Sequence, residues 1–150
     1  MIVDSSALVA MIRGEGDAQV YSEVLRGAGI VRLSAAGYVE LAVVIDGLRE
    51  PIASGALDDV LAAYHIQIEP LTAAQAQIAR TAYQDFGKGS GHPARLNMGD
   101  CFAYALARDL GEPLLFKGAD FALTDIELIV EPIRSRRLSE IVAAYAAEAG

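Results

Sequence analysis

Met1-Ile2-Val3-Asp4-Ser5-Ser6-Ala7-Leu8-Val9-Ala10-Met11-Ile12 opens the chain and sets the pattern for the rest of it. Ile2-Val3 is a short apolar strand, Asp4-Ser5-Ser6 a polar break, and Ala7 to Ile12 an apolar helix that Ser5 or Ser6 can cap. The alternation then recurs. Gly14-Glu15-Gly16 turns into a second helix, where Val20, Tyr21, Val24 and Leu25 keep helical spacing. Ile30 to Leu33 reads as a strand, and Ser34 caps a helix that carries Glu40 and stops near Gly47. A helix over 52–65 and a strand at Ile66-Gln67-Ile68 follow.

Further along, Thr72 and Gln75 form a capping box for a helix over 73–86. Gly87-Lys88-Gly89-Ser90-Gly91-His92-Pro93 is a loop dense in breakers. Asn97 caps a helix over 98–110, which Gly111 closes. Strands at 114–116 and 127–130 and an amphipathic helix from Leu138 to Glu148 complete the chain. Short apolar strands alternating with helices predict an α/β fold: one domain over 1–150, with a short parallel sheet flanked by helices on both faces.

Composition narrows the function classes. A chain of 150 residues with 53% hydrophobic content has a real core and room for one domain. Neither a membrane span of roughly 20 apolar residues nor a signal peptide is visible. A single cysteine, Cys101, allows no internal disulfide, and the expected setting is the reducing cytoplasm. The formal charge of −8 disfavours a broad basic surface for nucleic acid. It leaves phosphodiester chemistry open, because an acidic metal site would contribute several of those charges.

Four carboxylates carry the functional signal. Asp4 ends the first strand, and Asp120 follows the strand-like Leu114-Leu115-Phe116. Both therefore fall at the carboxyl edge of the sheet, where ligands of such folds gather. Glu40 lies in mid-helix between Tyr38-Val39 and Leu41-Ala42-Val43-Val44-Ile45, without the polar companions of a solvent-facing position. Asp100 opens Cys101-Phe102-Ala103-Tyr104-Ala105-Leu106-Ala107. Asp4 and Asp100 each have a simpler explanation as a cap or as a first-turn charge favoured by the helix dipole, worth about 0.3–1 kcal/mol. Glu40 has none. A carboxylate among apolar neighbours needs a counter-charge, and few basic residues stand near these four, so a divalent cation is expected if they converge. Asp125 shares the loop of Asp120, and local sequence does not choose between them.

Other motifs fail on spacing. Gly87-Lys88-Gly89-Ser90-Gly91 lacks the P-loop pattern and a preceding strand, and Gly14-Glu15-Gly16 lacks a third glycine. His65 and His92 are isolated, and Cys101 has no basic neighbour to make it a nucleophile. Tyr83 and Phe86, at helical spacing, read as core. A phosphatase of the haloacid-dehalogenase type wants a second Asp two residues after the first, where this chain has Ser6.

Taken together, Met1-Ile2-Val3-Asp4-Ser5-Ser6-Ala7-Leu8, Glu40-Leu41, Asn97-Met98-Gly99-Asp100 through Ala107, and Leu114-Leu115-Phe116-Lys117-Gly118-Ala119-Asp120-Phe121 with Thr124-Asp125 resemble the PIN-domain ribonucleases. The set is similar in particular to the VapC toxins of toxin–antitoxin pairs. The resemblance spans residues 1 to about 130 and leaves the last helix outside it. It implies a metal-dependent endoribonuclease. Asp4, Glu40 and Asp100 fall on the family's acidic positions, and Ser6 on the small hydroxyl position that would orient Asp4. Asp120 takes the fourth acidic place with Asp125 in reserve, because Gly118 stands where many members carry an Asp. Mg²⁺ or Mn²⁺ is the implied cofactor, suited to oxygen ligands and to phosphodiester hydrolysis. The implied partners are an RNA substrate, a VapB-type antitoxin that inserts a basic side chain into the acidic site, and a second copy of the chain through the apolar helices of 35–66. Lys88, Arg95 and Lys117 are the basic residues placed to hold RNA. The competing reading is a non-catalytic binding module whose acidic cluster is structural.

Overall fold

Ile2 and Val3 point to opposite sides of one strand, as do Leu114 and Leu115, and this alternation organises the molecule. A computed structural model describes residues 1–129. Four parallel strands, β1 (Ile2–Val3), β2 (Arg32–Ser34), β3 (Gln67–Glu69) and β4 (Leu114–Leu115), form one sheet in the order β3-β2-β1-β4. Ile2 pairs with Arg32 on one side and Leu114 on the other, while Leu33 pairs with Ile68.

Ile2 and Leu114 pack on one face with Ala79 and Ala82 of α5 (Ala73–Phe86) and with Cys101, Ala105 and Leu106 of α6 (Met98–Leu110). Val3, Leu33 and Leu115 pack on the other. There they meet α1 (Ser5–Ile12), α2 (Ala18–Gly27), α3 (Ala35–Gly47) and α4 (Pro51–Ala63), through Leu8, Tyr21, Leu41, Ile45 and Leu57 among others. Ile2, Val3, Leu114 and Leu115 are wholly buried. The expected α/β layering, with helices on both faces of a short parallel sheet, is what the chain forms.

Several elements differ from expectation in instructive ways. Asp4, rather than Ser5 or Ser6, is the N-cap of α1, its Oδ2 accepting the Ser6 backbone N–H at 3.0 Å. Ser34 holds the N-cap position of α3, but its buried hydroxyl bonds to nothing there. Thr72 caps α5 through the Gln75 N–H, whereas the Gln75 side chain turns away to donate to Asp109 at 3.0 Å, so only half the capping box forms. In place of a strand over 127–130, Leu128 makes a single parallel bridge to Leu114. The helix expected from Leu138 to Glu148 lies outside the described residues. Among the described residues, no helix is long and apolar enough to cross a membrane.

Candidate active site at the carboxyl edge of the sheet

Each of the four carboxylates arrives on a different element. Asp4 leaves β1 at its carboxyl end and is fixed there by its own N–H, which donates to Leu115 O at 2.8 Å. It is 4% exposed, the most buried of the set. Glu40 stands on the second turn of α3, the helix that follows β2 directly. Asp100 is the third residue of α6. Asp120 begins a 3₁₀ turn over Asp120–Leu123, beyond β4. The crossovers of a parallel sheet return every connection to the same edge, which is why four segments separated in sequence meet here.

Asp100 does two jobs with two oxygens. Its N–H donates to Asn97 Oδ1 and its Oδ2 accepts the Asn97 N–H, both at 2.8 Å, in a complete capping box. One lone-pair-bearing oxygen stays available. Asp4 is used the same way, with Oδ2 taken by Ser6 N–H. The capping explanations for Asp4 and Asp100 are therefore true as local structure, and they orient the carboxylates without exhausting them. Ser6 contributes that backbone donor, while its Oγ accepts the Lys117 N–H at 2.9 Å and so links α1 to the segment after β4.

Electrostatics ties the four together. Burial pushes the Asp100 carboxyl from 3.8 up to about 6, the Asn97 backbone bond opposes this, and Asp4, Asp120 and Glu40 add repulsion in that order. Asp4 is raised chiefly by burial, against hydrogen bonds from Ser6 and Ser5, with a further push from Asp120. Glu40, exposed as a residue, is raised first by partial desolvation of its carboxylate and then by Asp4. Among the described residues, none of the four is ion-paired to a lysine, arginine or histidine. Among these residues the negative charge of the site is uncompensated.

Asp125 belongs elsewhere. Its Oδ1 accepts the Tyr104 hydroxyl at 2.7 Å and its Oδ2 the Arg108 guanidinium at 2.9 Å, and these bonds hold its carboxyl below the usual range. Of the two loop acids, Asp120 is the one whose charge acts on Asp4 and Asp100.

Glu40 corrects one expectation. Its neighbours Val39, Val43 and Val44 are 58%, 66% and 55% exposed, so it lies on an apolar face of α3 that none of the described residues covers. What brings it to the site is Gly99. A Cβ at position 99 would fall within the Glu40 carboxylate, at 2.6 Å or less from Cδ and both oxygens. The bare glycine in the first turn of α6 is the cradle into which Glu40 reaches. In the sequence, Gly99 is only one residue of the Asn97-to-Ala107 motif, with no role of its own. The available signal is a glycine in the first turn of a strong helix, where alanine is the better helix former.

The donor set suits a hard divalent cation. All four groups are carboxylates, two with a free oxygen, and the glycine cradle keeps the Glu40 oxygens against α6. Among the described residues, no three carboxylate, thiol or imidazole groups are gathered closely enough to grip one ion together. The donor chemistry would suit Mg²⁺ or Mn²⁺, cations that take oxygen ligands and need few of them from protein because they retain water. The remaining candidates fall away: Cys101 is 2% exposed, with its thiol pushed up to about 11 by burial and by Asp100.

The PIN domain family model matches residues 1–127. Ribonuclease VapC28 of Mycobacterium tuberculosis is 52% identical over 127 residues, covering 85% of this chain and 96% of that protein. Ribonuclease VapC30 of the same organism is 42% identical over 132 residues, 88% of this chain and all of that protein. Among solved structures, the sarcin-ricin-loop-cleaving toxin VapC20 of M. tuberculosis superposes with a TM-score of 0.65 at 16% identity, over 83% of this chain and 95% of that one. VapBC2 of Rickettsia felis, bound to a DNA fragment from their promoter, gives 0.64 at 14% identity, over 85% and 96%. By sequence and by fold, the chain belongs to the PIN domain family, among the VapC ribonucleases.

Proposed function

We propose that the chain is a divalent-metal-dependent endoribonuclease, the toxin of a toxin–antitoxin pair, with Asp4, Glu40, Asp100 and Asp120 as its catalytic and metal-binding carboxylates. The observation that carries this reading is the convergence of four carboxylates from four elements with, among the described residues, no cationic side chain paired to them. A folded chain tolerates such repulsion where a cation is to be bound. When bound, Mg²⁺ or Mn²⁺ supplies charge stabilisation at the phosphoryl oxygens and acidifies a water.

The protein's own residues do the positioning. The Ser6 N–H and the Asn97 N–H each lock one oxygen of Asp4 and Asp100, so the free oxygen of each is presented in a fixed direction. In the metal-free chain, burial and the neighbouring acids raise the Asp100 carboxyl to about 6, a cost that a bound cation would relieve. Glu40 and Asp120 close the site from α3 and from the turn after β4, and their charge favours cations over a bare approach of phosphate.

The solved relatives that are toxin–antitoxin complexes support a VapB-type antitoxin as partner, entering the acidic site with a basic side chain. Beside Glu40, Val39, Val43, Val44, Leu48 and Ile52 form an exposed apolar surface on α3 and α4, and we assign it to a second copy of the chain.

The test is cleavage of total RNA with and without Mn²⁺ or Mg²⁺, in the wild type and in Asp4→Asn/Asp100→Asn. Metal-dependent cleavage lost in the double variant is the expected result. Cleavage that persists in chelator, or none in any condition, overturns the assignment in favour of a binding module with a structural acidic cluster.

A further inference from the structure

A site with four carboxylates repels the polyanion it is meant to cut, so some cation of the protein has to meet the RNA backbone. Of the three basic residues singled out in the sequence, Lys117 alone has a described bond into the segment of Asp4, through its N–H to Ser6 Oγ at 2.9 Å. It stands just past β4, on the edge where the acidic groups meet. Its ammonium is occupied: it is ion-paired to Glu15, both side chains about one-third exposed.

The two partners are mounted alike. Glu15 sits in the turn after α1, its N–H donating to Ala10 O at 2.9 Å and its carbonyl accepting from Ala18 N at 2.9 Å. Lys117 is held by its backbone bond to Ser6. Both backbones are fixed, and only the flexible side chains bridge the gap. Next to Lys117, Gly118 has φ +117° and open space where a Cβ would stand, so a ligand can approach the main chain there. A lysine–glutamate pair one-third exposed to solvent is a modest one, and exchanging its carboxylate for a phosphate keeps the charge pairing.

From these contacts we infer that Lys117 is the phosphate anchor for the RNA strand and that Glu15 holds its ammonium in place until a phosphate replaces the glutamate. The inference rests on the nuclease reading above and extends it to a substrate-gripping residue and its internal competitor.

The test is anisotropy with a fluorescein-labelled, random-sequence RNA of about ten nucleotides. Ca²⁺ replaces Mg²⁺, so that charge is compensated while hydrolysis is slowed, and the titration is repeated over a range of salt. For Lys117→Met, binding about tenfold weaker is expected, the order for one lost charge-assisted contact. Its slope of log K against log salt should be shallower by about 0.7, one phosphate's worth on a single strand. Lys117→Arg should restore most of both. Glu15→Gln should bind several-fold tighter than wild type with an unchanged slope, and the double variant should match Lys117→Met.

If Glu15→Gln weakens binding as Lys117→Met does, or if Lys117→Met leaves affinity and slope unchanged while the wild type cleaves RNA, the pair is only a strut and the inference falls. A wild type that neither binds nor cleaves RNA overturns the nuclease reading as well. Should Lys117→Met fail to fold by circular dichroism, the Glu15→Gln arm decides alone.

Discussion

Gly99 leaves no room for a side chain against the Glu40 carboxylate, and through this contact Glu40 of α3 reaches the first turn of α6. Asp100, the next residue, is oriented by its capping bonds to Asn97 and lies near enough to Glu40 to feel its charge.

From that contact, Gly99→Ala has a definite expected outcome. The added methyl displaces Glu40, and overpacking of this kind costs about 1–3 kcal/mol. Because Glu40 is largely solvent-exposed and has somewhere to go, stability should fall toward the low end of that range while RNA cleavage falls at least tenfold. Parallel thermal melts and cleavage assays check it; a variant with both properties unchanged would show that Glu40 is not positioned by Gly99.

Without metal, the acidic site should make stability fall as pH rises. The folded Asp100 carboxyl titrates near 6 against 3.8 in its ordinary state, so the folded chain keeps a proton that the unfolded chain has already lost. Stability from this group is therefore greatest at low pH and declines between 3.8 and about 6, then levels off. Melting temperatures in chelator across this window should drop less for Asp100→Asn than for the wild type. An equal drop in both would remove Asp100 as the source.

Metal should reverse that cost. Mn²⁺ or Mg²⁺ at saturating concentration should raise the melting temperature of the wild type by several degrees, through preferential binding to the folded state. Asp4→Asn/Asp100→Asn should show little of this shift. Calorimetric titration of Mn²⁺ into both proteins checks the same point without relying on unfolding.

The two loop acids should separate cleanly. Asp120→Asn is expected to reduce RNA cleavage by about tenfold or more with little loss of stability, since the side chain is exposed. Asp125→Asn should keep cleavage within about twofold and cost about 1 kcal/mol, from its bonds to Tyr104 and Arg108. Reversed phenotypes would hand the fourth acidic place to Asp125.

On α3, a charge in the exposed apolar surface should break self-association. Val43→Asp/Val44→Asp should convert a dimer to a monomer in light scattering, with the melting temperature nearly unchanged because both side chains already face solvent. A double variant that stays dimeric but loses a co-purifying antitoxin would reassign this face to the antitoxin.

Sequence alone determined the layered α/β plan, because strand–helix alternation, capping residues and glycine stops are local signals: α5 and α6 begin and end where Thr72, Asn97 and Gly111 place them. It also marked Asp4, Glu40 and Asp100 as a set, since each is a charge adjoining an apolar run. Three things were decided only by tertiary structure. Glu40 looked buried because its neighbours are apolar, yet burial depends on what covers a helix face, and nothing among the described residues covers this one. Asp120 and Asp125 share one loop and one chemistry, and they part only when the chain after β4 turns one toward Asp4 and the other toward Tyr104 and Arg108. The role of Gly99 is a contact across fifty-nine positions of sequence, from residue 40 to residue 99, and no local pattern encodes a space that a partner helix will fill.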